Sequence, residues 1–323
     1  MKILVTGGAG YIGSHTSHIL CNKGYEVIVY DNLENGYKEY LHPDAKLIVG
    51  DLSDINRLNN CFKENKIDSV MHFAGYIEAG ESMKDPLKFF NNNVSNGINL
   101  LNVMIKNNVK NIIYSSSAGV YGQPKEIPIK EDSEKKPVNY YGLTKLMFEQ
   151  ILNSCKIYGL KSISLRYFNA AGSGFNIGEN HKPETHLIPL ILKSALSDNE
   201  VKVFGDDYET KDGSCIRDYV HVLDLADIHS IALEKLFNGI TGEFNVGTGK
   251  GNSVFEVIKT CEDITGTKIN KKICERRDGD PKELVADVNR IKKELGWNAK
   301  YDIKDIIKSV WEWHKNNPNG LKK

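Results

Sequence analysis

Thr6-Gly7-Gly8-Ala9-Gly10-Tyr11-Ile12-Gly13 decides how this chain reads. The apolar run Lys2–Thr6 leads into it, and a helical pattern over 11–23 starts inside it. Its glycines stand at 7, 10 and 13, a G-x-x-G-x-x-G spacing. Glycine lets a chain turn sharply and lets backbone N–H groups approach a pyrophosphate, and the helix start beyond favours negative charge. Asp31 closes the next strand, 18 residues after Gly13, where an acid is placed to hold a ribose. Strand, glycine turn, helix, strand and acid in that order predict a dinucleotide site. The Asp31 carboxylate would repel a 2′-phosphate, which favours NAD over NADP. Asp51 and Leu52, after the third strand, are expected to flank the adenine, with a helix cap as the competing role for Asp51.

Outward from this turn the first half alternates strands and helices. Strands are expected at 2–6, 26–30, 46–49, 69–73, 111–115 and 162–167, and helices over 11–23, 55–64, 86–107 and 140–158. That alternation predicts an α/β fold, a doubly wound, mainly parallel Rossmann sheet with ligands beyond the C-terminal strand ends. After Tyr167 the pattern loosens. Residues 169–186 read as loop, 187–196 and 220–237 as helices, and 243–246 as a short strand. The last two are expected to return to the main sheet. The expected division is 1–170 plus about 219–248 as the NAD-binding domain, and about 171–218 plus 249–323 as a smaller discontinuous substrate domain.

The 323 residues carry 42 basic and 42 acidic side chains, so the net charge is zero. This argues against binding nucleic acid through bulk positive charge. No apolar run reaches the ~18 residues of a membrane span, and the N-terminal run is too short for a secretory signal. The six cysteines show no C-x-x-C pairing and no zinc spacing with histidine, so reduced thiols in a cytoplasmic protein are expected and no residue is assigned to a metal.

Tyr141-Gly142-Leu143-Thr144-Lys145 places Tyr141 and Lys145 one helical turn apart on one face. A free tyrosine titrates near 10, and an ammonium or a positive nicotinamide beside it would favour the phenolate. Tyr121 and Lys125 repeat the spacing, but Pro124 interrupts that stretch, so it is set aside. Tyr114-Ser115-Ser116-Ser117-Ala118 ends the fifth strand at the ligand crevice, where Ser117 could share a hydrogen bond with a substrate hydroxyl deprotonated by Tyr141. Only six of the 42 basic residues are arginine: 57, 166, 217, 276, 277 and 290. A chain that uses lysine elsewhere is expected to keep arginine where its planar fork matters. Arg217 and Arg277 are therefore expected to clamp a diphosphate, against ordinary pairing with Asp218 or Asp278. Arg166, at a strand end, is expected to be structural.

These segments resemble the extended short-chain dehydrogenase/reductase family and, within it, the UDP-glucose 4-epimerases. The resemblance spans nearly the whole chain and rests on several short motifs. They are T-G-G-A-G-Y-I-G at 6–13, H-F-A-G at 72–75, G-E-S at 80–82, S-S-S-A at 115–118, Y-G-x-x-K at 141–145 and R-Y-F-N at 166–169. The second half adds R-D-Y-V-H-V at 217–222, G-N-S-V at 251–254 and R-R-x-G-D at 276–280. The resemblance implies reversible C4 epimerisation of a UDP-hexose through a 4-keto sugar with tightly bound NAD, in a homodimer that pairs two long helices. It implies that Tyr11, Ile12, Asn32, Asn35, Phe73, Ala74, Asn92 and Tyr167 join the NAD site. Ser115, Ser117, Tyr141 and Lys145 would line the reaction centre. Asn169, His186, Leu187, Lys202, Phe204, Arg217, Tyr219, Val254, Arg277 and Asp280 would hold the UDP-sugar.

Two positions depart from the pattern. Ile77 stands where many such epimerases have lysine, which removes one contact to NAD. Leu284 stands where some members have a tyrosine that closes the sugar pocket, which leaves room for a 2-acetamido group. The rival readings are a UDP-glucuronate epimerase, a nucleotide-sugar 4,6-dehydratase and a non-catalytic NAD sensor. A dehydratase needs an acid pair after the fifth strand, where this chain has Ala118 and Gly119, and a sensor would lack the Tyr-Lys pair.

Overall fold

The computed structural model describes residues 1–181, 183–197, 199–277, 279–318 and 320–321. Its first half runs β1 (Lys2–Thr6), α1 (Tyr11–Asn22), β2 (Glu26–Asp31), β3 (Lys46–Val49), α2 (Ile55–Asn65) and β4 (Ser69–His72). Then come α3 (Ala79–Ser82), α4 (Pro86–Phe89), α5 (Asn96–Lys106), β5 (Asn111–Ser117), α6 (Tyr140–Ser154) and β6 (Lys161–Tyr167). The second half continues β7 (Asn169–Ala171), α7 (Leu187–Ser197), β8 (Val201–Phe204), β9 (Ile216–His221), α8 (Val222–Phe237) and β10 (Gly242–Val246). It closes with β11 (Gly251–Ser253), α9 (Val254–Thr265), β12 (Lys271–Cys274), β13 (Glu283–Leu284), α10 (Asn289–Leu295) and α11 (Ile303–Asn316).

Seven strands form one parallel sheet in the order β10-β6-β5-β4-β1-β2-β3. The order reverses direction between β1 and β4, and that switch point opens a crevice at the C-terminal strand ends. Strand residues alternate between two cores. Ile3, Val5, Val27 and Val29 join α1, α8 and α10 on one face. Leu4, Ile28, Tyr30 and Val70 join α2, α5 and α6 on the other. Both faces are covered, so these strands read as continuous apolar runs. Each such side chain contributes about 1.5–3 kcal/mol through burial.

The strands β7, β9, β11 and β13 make a second, four-stranded sheet, and β8 pairs with β12. Helices α7, α9 and α11 cover a third core around Ile191, Val257 and Ile306.

Three elements differ from expectation. Residues 169–171, expected as the start of a loop, form β7, because they pair with β9. The helix expected over 220–237 begins at Val222, because 216–221 is strand β9. Tyr219, Val220 and His221 pair with β7, and His221 ends the strand by accepting a hydrogen bond from Leu223 N at 3.0 Å, which caps α8. The helix expected over 86–107 is interrupted by a π-helical turn at Phe90–Ser95. Asn93 inside that turn bonds Tyr76 N at 2.8 Å, Tyr76 O at 3.0 Å and Thr144 Oγ1 at 3.0 Å. These contacts hold the bulge against the crevice, the setting in which such bulges recur.

Candidate active site

A cavity of about 500 Å³ lies beyond the C-terminal ends of the central strands. One wall is the glycine turn between β1 and α1. Gly7 has φ +70°, and a Cβ on it would fall 2.6 Å from Ala74 N; a Cβ on Gly13 would fall 2.3 Å from Gly7 O. The turn is thus closed to side chains and shaped for a pyrophosphate at the N-terminus of α1. Asp31 is fixed at its rim, accepting Ala9 N at 3.0 Å and Leu33 N at 2.8 Å. Asp51 accepts Asn32 Nδ2 at 2.8 Å and Ser53 Oγ at 2.6 Å. Burial opposes its charge, but these hydrogen bonds outweigh it and hold the carboxyl below its ordinary range. The cap of α2 is Asp54, so the competing role for Asp51 does not arise at that helix. Every NAD residue named from the sequence lines this cavity: Gly7, Gly10, Tyr11, Ile12, Gly13, Asp31, Asn32, Asn35, Asp51, Leu52, Phe73, Ala74, Asn92, Ser115, Tyr141, Lys145 and Tyr167.

At the other end, Asn139 caps α6 by accepting Gly142 N at 2.8 Å. Tyr141 and Lys145 then present one face to the cavity beside the end of β5. Lys145 Nζ donates to Ser115 O at 2.7 Å and lies 5.7 Å from the centre of the Tyr141 ring. Burial pulls the Lys145 ammonium down to about 8, with the Glu149 charge opposing it. Burial also pushes the Tyr141 phenol above its ordinary value, and a hydrogen bond with Ser117 pulls it back only in part. Desolvation dominates, and the protein by itself keeps Tyr141 protonated. The second Tyr-Lys spacing forms no site. Tyr121 is buried with its hydroxyl on Asn245 at 2.7 Å, while Lys125 pairs with exposed Glu134.

Beneath the pair, Glu149 receives Arg166 Nε at 2.9 Å, Arg166 Nη2 at 2.7 Å and Ser116 Oγ at 2.5 Å. Arg166 also donates to Tyr121 Oη at 2.8 Å and to Glu131 O at 2.9 Å. Its structural role follows from these four bonds of its guanidinium.

The substrate residues divide. Ser117, Tyr141, Asn169, His186, Arg217 and Leu284 line the cavity. Arg217 is set against Asp280, Nη2 to Oδ1 at 3.4 Å, rather than against Asp218. Asp218 is taken up by Thr248 N, Thr248 Oγ1 and Gly249 N at 2.6–3.0 Å. Arg277 lies over the Phe204 ring at 3.9 Å, away from the cavity lining. Tyr219 and Val254 are in the third core with Leu187 packed on it, and Lys202 is exposed on β8. Asp278, the other partner considered for Arg277, lies outside the described residues. Sequence reasoning missed Glu179, His181 and Tyr76, which also line the cavity. The pattern Glu-x-His-x-x-Glu-x-His over 179–186 was the available signal for the first two.

The model of the NAD dependent epimerase/dehydratase family matches residues 3–247. The chain is 48% identical over 326 aligned residues to the UDP-glucose 4-epimerase of Halalkalibacterium halodurans, covering 99% of this chain and 97% of that protein. It is similar to the crystal structure of UDP-glucose 4-epimerase from Bifidobacterium longum in complex with NAD+ and UDP. That match has a TM-score of 0.94 and 42% identity, over 99% of this chain and 100% of that one. It is also similar to the UDP-Glc/GlcNAc 4-epimerase of Campylobacter jejuni, with a TM-score of 0.86 and 38% identity over 98% and 99% of the two chains.

Proposed function

The chain belongs to the NAD dependent epimerase/dehydratase family, and from that premise we propose that it interconverts UDP-galactose and UDP-glucose by reversible epimerisation at C4. The observation that carries this is the meeting of Ser117, Tyr141 and Lys145 at one end of a cavity whose other end is the glycine turn and Asp31. NAD, when bound in that cradle, supplies a reversible acceptor for the C4 hydride. Tyr141 takes the 4-OH proton and returns it to the same oxygen once the sugar has turned its other face toward the cofactor and C4 has regained its hydride on that face. Because burial keeps the phenol neutral, Tyr141 deprotonates only once further positive charge joins Lys145 beside it. Ser117 hydrogen-bonds the same hydroxyl and orients it. Arg217, paired with Asp280, grips the diphosphate, and Arg277, stacked on Phe204, adds a second guanidinium, while Asn169, His186 and Leu284 border the sugar.

The test is turnover without added cofactor. Purified protein should convert UDP-galactose to UDP-glucose and release NAD on denaturation; failure of both overturns the reading. Leu284 on the cavity wall favours a second activity on UDP-N-acetylglucosamine. No turnover of the acetylated sugar, and none gained in Leu284→Gly, would exclude it.

We further assign 1–170 with about 219–248 to NAD, and about 171–218 with 249–323 to the UDP-sugar; β9 straddles the boundary. We propose a homodimer through α4, α5 and α6, which fits the exposed Leu87 (68%) and Ile98 (38%). A molar mass of one chain by light scattering would contradict it. No helix among the described residues is long and apolar enough to cross a membrane. All six thiols are unpaired, which supports a reducing, cytoplasmic setting.

A further inference from the structure

The segment joining β7 to α7 folds back on itself beside the cavity. One donor atom from each of Glu179, His181, Glu184 and His186 lies within 4.8 Å of the others. His186 Nδ1 is 2.9 Å from Glu179 Oε1 and 2.9 Å from Glu184 Oε1, and His181 Nδ1 is 3.3 Å from Glu179 Oε1. Both glutamate side chains are only 5% exposed. A ring nitrogen carries at most one hydrogen, so His186 Nδ1 cannot serve both carboxylates well. Among the described residues, buried Glu184 Oε2 has no hydrogen-bond partner, and His181 Nδ1 has none beyond its 3.3 Å approach to Glu179 Oε1. Two carboxylates removed from water need their charge balanced and their lone pairs filled, and hydrogen bonds within the group do neither fully.

We infer that Glu179, His181, Glu184 and His186 form a binding site for one divalent transition cation of the zinc type. Two imidazole nitrogens with two carboxylate oxygens suit zinc and its neighbours, whereas magnesium and calcium take oxygen alone. Zinc bonds of about 2.0–2.2 Å place tetrahedral donors roughly 3.3 Å apart. The three pairs at 2.9, 2.9 and 3.3 Å are near that spacing, and all four donors lie within 4.8 Å of one another. A dication balances the two carboxylates while both histidines stay neutral. Glu179, His181 and His186 line the cavity, which gives the cation its way in. Coordination through Nδ1 leaves His186 Nε2 free of the cation.

The segment is already tied to the NAD half, since Tyr37 Oη donates to Asn180 O at 3.1 Å and Tyr40 Oη to Gly178 O at 2.8 Å. A cation would complete that attachment and hold the cavity wall beside Tyr11. No proton or hydride step uses it.

The test uses the full chain with its own NAD, freed of metal by a chelator and dialysed against zinc chloride. Elemental analysis should find about one zinc per chain. In His181→Ala/Glu184→Gln, zinc affinity should fall at least about tenfold while circular dichroism and NAD content stay unchanged. Zinc binding that persists undiminished in this variant, or its absence in the unaltered protein, overturns the proposal. Should the variant not fold, cobalt(II) added to the unaltered protein decides alone. Intense visible absorption bands of a four-coordinate ion support the site, and the weak spectrum of the aqua ion refutes it.

Discussion

Tyr141 is held neutral by its burial, so its proton leaves only when positive charge is placed beside it. Tyr141→Phe removes that proton acceptor and keeps the ring. Turnover should fall by roughly 100- to 10,000-fold, with NAD content and KM little changed, as read by steady-state rates and release of NAD on denaturation. The proposed grip of Arg217 on the diphosphate uses a planar fork that lysine cannot copy, so Arg217→Lys should raise KM for the UDP-sugar about tenfold with kcat less affected. One turn below Lys145, Glu149 and Arg166 form a bidentate ion pair with side chains 3% exposed. Glu149→Gln leaves a buried guanidinium without its counter-charge. The loss should be about 3–5 kcal/mol in denaturant unfolding, larger than for any exposed pair such as Lys125–Glu134.

At the scale of elements, legibility followed how local the signal was. The glycine turn, the Asp31 strand end and the Tyr141–Lys145 helix each declare themselves within one short window, and all meet at the cavity. The first six strands read correctly because their apolar residues alternate between two covered cores, although the edge strand β3 is only partly buried. Strand β9 was missed, with its last two residues counted into a helix, since its pairing partners, β7, β11 and β13, lie far along the chain and leave no local mark. The π turn in 90–95 was invisible for a related reason: its cause, Asn93 bonding Tyr76 and Thr144, is tertiary. Arg277 shows the same limit, because the motif supplied the residue but only packing put its fork over Phe204. Phe148 gives these helices a direct test. It is fully buried on α6 and fills the space left by Gly97 on α5, where a Cβ would come within 2.4 Å of its ring. Phe148→Ala should therefore cost about 3–5 kcal/mol in thermal or denaturant unfolding.

Across the whole molecule, buried histidines set the response to acid. His15, His72, His221 and His229 are at most 2% exposed. Burial lowers His15, His221 and His229 to about 4, and burial together with the nearby Lys145 charge lowers His72 to about 3. The unfolded chain binds these protons near 6.5, before the folded one does. Their contribution is therefore complete above 6.5 and is lost as pH falls toward 4, by about 1.4 kcal/mol per histidine per pH unit. Denaturant midpoints measured between pH 7 and 4.5 should drop steeply across that window, and His229→Gln should flatten the drop.

The position of β10 has a consequence for how the molecule is made. A ribosome delivers β1 to β6 in sequence, yet the strand that covers the outer edge of β6 is Gly242–Val246, delivered only after β7, α7, β8, β9 and α8. Until then the nascent sheet presents a bare row of N–H and C=O groups from Ile163 to Tyr167, an invitation to pair with a neighbouring chain. A polypeptide stopped just before Gly242 should aggregate in light scattering, and adding a peptide of that strand should suppress the aggregation. Survival of the newborn protein thus depends on how quickly the intervening seventy-odd residues leave the exit tunnel.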